Sequence, residues 1–245
     1  MPMRGVLTYH SIDRTGSVIS VTPAAFRAHV EWLAAGDVPV VSLSRLLELP
    51  DDASALALTF DDGLTSVMTE AAPLLAAHGL PATVFVVSRH VGGDNQWNGI
   101  GDPGVPIQPV LGWEALGRLR DQGFTIGAHT RHHRHLTHCS HDELAEELGG
   151  SSDDIATALG DRPTVFAYPY GAVDERVAHA AAAQFAIACT TDFQPVRTAG
   201  RRDLVPRLDA WYFHDVGRLR RWGTPRLCRA IAARHIMRRV RRAWR

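Results

Sequence analysis

The sequence predicts an α/β fold, a distorted (β/α) barrel of about seven strands, and three observations support this. Short apolar segments alternate with helical patterns along the chain. Six or seven such strand–helix units fit into roughly 200 residues, the size of one domain. The 245 residues are 45% hydrophobic, enough to bury a single large core. Repeated β-then-α order indicates a mostly parallel sheet, open and doubly wound or closed, and the number of units favours the barrel.

The predicted strands are apolar runs that end in polar residues or turns. They cover residues 5–12 (GVLTYHSI), 55–60 (ALALTF), 82–88 (ATVFVVS), 124–129 (FTIGAH), 164–171 (TVFAYPYG) and 186–191 (AIACTT). Helical patterns lie between them. Thr22 is the expected N-cap of one helix, with Pro23 at its first position, and Ser140 with Glu143 has the spacing of a capping box in another.

The charge is divided unevenly along the chain. Residues 1–217 hold 15 basic and all 26 acidic residues, a net charge of −11, whereas residues 218–245 hold 11 arginines and no acid. We therefore divide the chain into a catalytic domain, 1–217, and a basic amphipathic C-terminal helix or tail, 218–245. Three roles are open for such a helix: it packs back on the acidic body, contacts an anionic membrane or docks on an acidic partner. Nucleic acid is a less suitable partner, because no recognition motif accompanies the charge.

The cysteines and the N-terminus carry little functional signal. Cys139, Cys189 and Cys228 are far apart and odd in number, which excludes a disulfide framework and a CxxC metal knuckle. The N-terminus lacks the pattern of a secretory signal, and no apolar run is long enough to span a membrane. We expect a cytoplasmic protein whose basic tail is a candidate contact with the inner membrane face. Abundant alanine and the absence of lysine are typical of a GC-rich bacterial genome.

Polar residues follow two of the predicted strands where the strands end. Asp61 and Asp62 come directly after residues 55–60, and His129 ends the strand at 124–129, with His133 four residues on. The carboxyl ends of barrel strands face one common pocket. Two histidines at i and i+4 with one carboxylate form a usual set of ligands for a hydrolytic metal. The alternative is an Asp-Gly turn and a polar surface histidine cluster.

The histidine-rich segment HTRHHRHL begins at His129, and its four histidines differ in their expected roles. His129 and His133 fit the ligand spacing, whereas His132 and His135 point elsewhere and are expected in solvent or behind the ligands. The set predicts one divalent metal, zinc first, with cobalt, nickel or iron also accepted by these ligands.

Three motifs in order, TFDDG, HTxxHxxL and YPYG, resemble the NodB-homology polysaccharide deacetylases of carbohydrate esterase family 4. The resemblance extends over roughly residues 5–213 and implies the barrel fold of that family. It implies Asp61 as the general base, with Asp62, His129 and His133 binding a divalent metal. It also implies that Pro169 and Tyr170 contact the substrate, the backbone N–H of Tyr170 forming the oxyanion hole.

The chain departs from this family pattern at the third motif. The usual motif is RxPYG, and its arginine orients the catalytic aspartate, but Ala167 occupies that position here. Arg207, which we expect to follow the next strand, is the proposed substitute. The alternative is a surface arginine that pairs with Asp209 or with nothing.

A second departure concerns the general acid. Family members usually carry it in a C-terminal LxH motif, but this chain ends in an arginine-rich tail. The N-terminal run LTYHSI instead places His10 at a strand end, similar to the circularly permuted poly-N-acetylglucosamine deacetylases. The resemblance therefore implies His10 as the acid, and the alternative is a strand-end histidine in solvent.

Apolar and aromatic residues complete the expected substrate site. Trp97 lies in a long Gly- and Pro-rich segment and is expected in the glycan groove. Trp211 and Leu7 are candidates for an acetyl-methyl pocket or for core packing.

The expected activity is metal-dependent hydrolysis of N-acetyl or O-acetyl groups on a sugar or glycan, acting on carbon–nitrogen bonds other than peptide bonds. Two alternatives stay open. One is a catalytically inactive glycan-binding homologue, motivated by Ala167. The other is a hydrolase of small amides or ureido compounds on the same fold.

Overall fold

A computed structural model describes residues 1–99 and 101–243. Seven parallel strands form one sheet, and we number them in chain order. They are β1 (Arg4–Tyr9), β2 (Ala55–Phe60), β3 (Ala82–Val86), β4 (Thr125–Ala128), β5 (Val165–Ala167), β6 (Ile187–Cys189) and β7 (Leu208–Asp209). The spatial order is β6-β5-β4-β3-β2-β1-β7, so the N-terminal strand lies between β2 and the last strand.

Helices follow most of the strands and pack on the outside of the sheet. The α-helices are α1 (Pro23–Ala34), α2 (Leu43–Glu48), α3 (Ala72–Ala77), α4 (Trp113–Asp121), α5 (His141–Ala145), α6 (Ser151–Leu159), α7 (Glu175–Ala182), α8 (Val216–Leu219) and α9 (Pro225–Ala243). A π-helical turn at Val67–Ala71 precedes α3, and another at Glu146–Gly150 joins α5 to α6. Two short strands, Ser11–Ile12 and Ser20–Val21, pair beside the sheet.

The curled sheet is a distorted (β/α) barrel of the NodB type, as the sequence predicts. The two edge strands, β6 and β7, do not pair with each other. Instead Val205 bridges to Cys189 and leads the chain toward β7. The largest apolar cluster joins the sheet to the helices, and in it Leu7, Leu58 and Leu208 lie at the same level of the sheet. Alternate strand residues, among them Val6 and Ala57, belong to a second cluster.

Local signals in the sequence mark several helix starts. The Thr22 hydroxyl accepts a hydrogen bond from the Ala25 N–H, and Pro23 begins α1. Ser140 and Glu143 form the expected capping box of α5. The predicted strand 5–12 is interrupted, because β1 ends at Tyr9 and leaves His10 outside the pairing.

The C-terminal segment packs on the barrel. The division after residue 217 falls within α8, and Leu219, Trp222, Leu227 and Ile231 belong to the same apolar core as the strands. Residues 244 and 245 of this segment lie outside the described part of the chain. No described helix is both long and apolar enough to cross a bilayer.

Candidate active site

Strand register brings the candidate site residues to one end of the sheet. Tyr9 is paired with Phe60 at the ends of β1 and β2, and the Asp61 N–H donates to the Tyr9 carbonyl at 2.9 Å. His10 and Asp61 therefore leave adjacent strands at the same level. His129 follows β4 at the same edge of the sheet, as expected for parallel strands.

Asp62, His129 and His133 form a compact buried cluster. The Asp62 Oδ1 atom lies 3.6 Å from His129 Nε2 and 3.5 Å from His133 Nε2. One potential ligand atom from each residue lies within 4.8 Å of the others, and all three side chains are buried. This is the group of residues that the family resemblance implies for a metal.

The donor atoms of this cluster fit a cation. Among the described residues, Asp62 Oδ1 and His133 Nδ1 are buried without a hydrogen-bond partner. Buried polar atoms are almost always paired, so an orphaned carboxylate oxygen beside two imidazoles indicates a missing partner of positive charge. His129 Nδ1 lies 2.7 Å from the Ala167 carbonyl, an acceptor, so this nitrogen carries the proton and Nε2 keeps its lone pair toward Asp62.

The backbone around the cluster is strained in a systematic way. Four non-glycine residues of the described chain have left-handed φ angles, namely Asp62 at 69°, Thr130 at 66°, His133 at 58° and Tyr170 at 58°. Such angles are uncommon outside glycine and are an outlier for β-branched threonine. All four residues lie in the three sequence motifs. The surrounding structure stabilises these unfavourable backbone angles, which occur at the candidate metal ligands and in the YPYG turn.

Electrostatics favour a neutral imidazole at His133. Burial lowers the pKa of His133 well below its ordinary value, and the His129 imidazole acts in the same direction. A neutral imidazole is the form that binds a metal. Burial also raises the pKa of Asp62, which is the expected direction for a buried carboxyl with no cation beside it.

Asp61 is held as an ionised carboxylate by Arg207. The Arg207 guanidinium donates to both Asp61 oxygens, Nη1 to Oδ1 at 2.7 Å and Nη2 to Oδ2 at 2.8 Å. Burial raises the pKa of Asp61, but the charge and hydrogen bonds of Arg207, together with the charges of His129 and His10, outweigh it and bring that pKa to about 2. The Thr190 carbonyl and the Thr59 hydroxyl accept further hydrogen bonds from Arg207.

The location of Arg207 relative to the strands differs from the expected one. It precedes β7 instead of following a strand, and its side chain is buried inside the barrel. Ala167, which lacks the family's arginine, is fully buried at the end of β5. The described Arg207 makes no ion pair with Asp209.

His10 stands at the open side of the carboxylate. Its Nε2 lies 3.8 Å from Asp61 Oδ2, and its side chain is 27% exposed, whereas that of Asp61 is 3% exposed. His10 and Asp61 line a cavity of about 40 Å³ together with Thr190, Asp209 and Arg238. His10 therefore can meet both solvent and the carboxylate.

Glu147 is a supporting residue that the sequence reasoning missed. Its buried carboxylate accepts hydrogen bonds from the backbone N–H groups of Arg131 and His132, at 3.0 and 2.9 Å, and lies 2.7 Å from His132 Nδ1. It thus fixes the turn that carries His133. A signal was available, because Glu147 occupies an apolar-face position between Leu144 and Leu148 of the helical pattern.

The third motif contacts the histidine segment. Tyr170 is 39% exposed, and its ring stacks on His135 with a centroid distance of 4.0 Å and contacts His133 at 4.5 Å. The Tyr170 hydroxyl donates to the Asp102 carboxylate at 3.2 Å. Pro169 is buried at the start of the same turn. His135 is exposed and stacks on Tyr170, whereas His132 is partly exposed and contacts the buried Glu147.

Two residues expected at the substrate are buried. Trp97 is only 6% exposed and packs against His133, with ring centroids 4.6 Å apart, so its place in the glycan groove stays a prediction. Leu7 is fully buried in β1, which matches its core alternative and not an acetyl pocket. Trp211 is 37% exposed, with its ring edge-on to Tyr212, and its contact with substrate stays a prediction.

Known proteins are similar to this chain over the region that contains the three motifs. The sequence model of the polysaccharide deacetylase family matches residues 49–187, a range that contains both carboxylates, both histidines and the YPYG turn. YxkH of Bacillus subtilis is 25% identical over 181 residues, 72% of this chain and 60% of that protein. The peptidoglycan-N-acetylglucosamine deacetylase PgdA of Listeria monocytogenes is 31% identical over 124 residues, 50% of this chain and 23% of PgdA.

A solved structure has the same fold. The deacetylase PplD of Streptococcus pyogenes, in complex with acetate, superposes with a TM-score of 0.71 at 20% identity, covering 85% of this chain and 93% of that one. The chain spans only part of the curated relatives, about 60% of YxkH and about a quarter of PgdA. Because the family match covers more than half of its residues, the chain belongs to the polysaccharide deacetylase family.

Proposed function

We propose that this protein is a metal-dependent hydrolase that removes acetyl groups, N-acetyl first, from an acetylated sugar or glycan. One observation carries the proposal. The ionised carboxylate of Asp61 accepts two hydrogen bonds from Arg207, and it lies beside the buried cluster of Asp62, His129 and His133, which has unpaired ligand atoms. The family membership and the similarity to PgdA, a peptidoglycan-N-acetylglucosamine deacetylase, support the same chemistry.

Asp62, His129 and His133 are the residues proposed to hold the metal. A divalent cation bound there, zinc first and cobalt, nickel or iron as alternatives, supplies Lewis-acid polarisation of the acetyl carbonyl and a more acidic water. The arrangement of two imidazoles and one carboxylate leaves coordination positions open for water and substrate.

Asp61 is proposed as the general base. It accepts a proton from the attacking water, and a base must be ionised before it can do so. Arg207 is the largest of the groups that lower the pKa of Asp61 to about 2 against the effect of burial, and the paired hydrogen bonds fix its orientation. Arg207 thereby takes the positioning role that an arginine at position 167 would have.

His10 and Tyr170 complete the proposed machinery. His10 donates a proton to the departing amine from the exposed side of Asp61, at 3.8 Å from its carboxylate. The backbone N–H of Tyr170 is proposed to donate to the carbonyl oxygen as negative charge develops there. The contact between the Tyr170 ring and His133 supports this role, because it brings the turn beside Asp62, His129 and His133.

Acetate release from chitooligosaccharides tests the proposal, together with the metal content of the protein. We expect zinc-loaded wild type to release acetate, Asp61→Asn to bind zinc without releasing acetate, and Asp37→Asn, a surface change of the same kind, to match wild type. Absence of acetate release from every acetylated glycan offered to a zinc-loaded wild type contradicts the proposal. Turnover of small amides in that case supports the alternative hydrolase, and binding of glycans without any turnover supports the inactive homologue.

A further inference from the structure

The last helix, α9, carries an apolar stripe on its outer surface. Ala233, Ile236, Met237 and Val240 follow the i, i+3, i+4, i+7 spacing of one helix face, and all four are exposed. Ile236 is 61% exposed, and Met237 and Val240 are each 52% exposed. Large contiguous apolar patches on the surface of a soluble protein mark sites that contact proteins or membranes.

The helix is fixed in this orientation by its opposite face. Leu227 and Ile231, 6% and 2% exposed, pack into the barrel core. Further along the same face, the Arg234 guanidinium covers the Tyr212 ring at 3.9 Å, and Arg238 lies 5.8 Å from the centre of the Phe193 ring. Rotation of the helix to bury the outer stripe would therefore expose core residues, and the stripe is left to a partner outside this chain.

Positive charge surrounds the stripe. Residues 218–245 contain 11 arginines and no acid, and among residues 218–240 no arginine forms a salt bridge with a carboxylate. A groove of about 290 Å³ beside α9 is lined by Arg218, Arg221, Arg226 and Arg234. Guanidinium groups arranged in this way suit phosphate oxygens, to which they donate paired hydrogen bonds.

We propose that α9 docks on the surface of an anionic phospholipid membrane. The stripe enters the boundary between headgroups and acyl chains, while the arginines on either side contact lipid phosphates. Apolar side chains and arginines alternate around one helix, and this combination favours a lipid surface over a purely polar anion such as nucleic acid. Arg238 lines the cavity beside His10 and Asp61, so the docked helix holds the active-site cleft about one helix diameter, ~10 Å, from the membrane.

Vesicle flotation tests this proposal with the full chain. We expect the protein to float with vesicles of phosphatidylcholine and phosphatidylglycerol, to stay unbound with pure phosphatidylcholine, and to dissociate as salt rises. The triple variant Ile236→Ser, Met237→Ser and Val240→Ser should lower the partition coefficient about tenfold or more. These side chains are exposed, so the thermal melting curve of the variant should match wild type.

Matched controls distinguish docking through α9 from nonspecific hydrophobic binding and from the binding of free phosphate. Ile107→Ser changes a side chain that is also 61% exposed but lies far from α9 in sequence, and it should bind vesicles as wild type does. Arg221→Gln with Arg226→Gln should weaken binding, and Arg27→Gln should not. Inorganic phosphate at the concentration of the lipid headgroups should not release the protein. Equal partitioning of wild type and the triple variant would overturn the proposal, and so would binding to duplex DNA that matches vesicle binding and is insensitive to the triple change.

Discussion

The Arg207 guanidinium and the Asp61 carboxylate share two hydrogen bonds, at 2.7 and 2.8 Å, although 146 positions separate them in the sequence. Both side chains are buried, so neither charge has water to stabilise it. An ion pair in such a place is strongly unfavourable to break, because the remaining charge stays buried alone. The pair therefore serves stability and the proposed proton transfer together.

Arg207→Met should separate these two contributions. With the guanidinium gone, burial dominates and the pKa of Asp61 rises, so the acidic limb of the pH–rate profile should move upward. The free energy of unfolding should fall by about 3 to 5 kcal/mol. Arg207→Lys keeps the positive charge but loses the paired hydrogen bonds. Its free energy of unfolding and its acidic limb should therefore lie between those of wild type and Arg207→Met. Urea denaturation and pH–rate profiles measure both effects.

The double variant Arg207→Met with Asp61→Asn supplies the control. It removes both charges, so it should regain stability relative to Arg207→Met while remaining inactive. In wild type the lowered pKa of Asp61 means that the stabilisation from this pair is complete above the unfolded value of about 3.9 and is lost as pH falls towards 2. A pH–rate profile unchanged in Arg207→Met would show that Arg207 does not position the base.

Zinc should stabilise the folded chain through Asp62, His129 and His133. After treatment with a chelator, zinc at about 100 times its dissociation constant should add about 2.7 kcal/mol to the free energy of unfolding. For a chain of this size that corresponds to a rise in Tm of about 5 to 10 °C. His133→Gln should abolish the rise, and Asp37→Asn should keep it. An equal rise in wild type and His133→Gln would place the zinc elsewhere.

The strand ends could be predicted from the sequence because they depend on local patterns and on one topological rule. Asp61, Asp62, His129 and His133 follow apolar runs, and parallel strands gather such residues at one edge. The burial of individual side chains could not be predicted from these local patterns. Trp97 lies beneath His133 because a loop folds inward, and periodicity carries no information about that packing. The sequence predicts Arg207 near the site. The position of its side chain inside the barrel depends on the register of β7 with β1, which the sequence does not reveal.

Glu147→Gln should weaken metal binding from a distance. The Glu147 carboxylate holds the His132 ring and two backbone N–H groups of the turn that ends at His133, and an amide side chain replaces only part of these bonds. Outer partners of metal ligands typically change metal affinity about 10- to 100-fold. Zinc titration should show a loss in that range. Glu114→Gln, a surface change on α4, should bind zinc as wild type does, and a lower Tm for Glu147→Gln with unchanged zinc affinity would make Glu147 purely structural.

His29 should make the stability of the fold depend on pH in the acidic range. It is fully buried, with Nε2 at 2.7 Å from the Phe213 carbonyl and Nδ1 at 3.0 Å from the Tyr9 hydroxyl. A carbonyl only accepts, so Nε2 carries the proton and Nδ1 accepts from Tyr9. Protonation of Nδ1 would break that bond and bury a charge. Burial accordingly lowers the pKa of His29 from 6.5 to about 4.

The sign of the effect follows from this lowered pKa. The unfolded chain binds a proton at His29 below about pH 6.5 while the folded chain does not, so the stabilisation is complete above that pH and is lost as pH falls to about 4. The full loss amounts to roughly 3 kcal/mol. His29→Leu should flatten the stability curve between these pH values, and His78→Leu, at an exposed position, should leave it unchanged. Urea denaturation across this range measures the difference, and parallel curves for wild type and His29→Leu would show that another group is responsible.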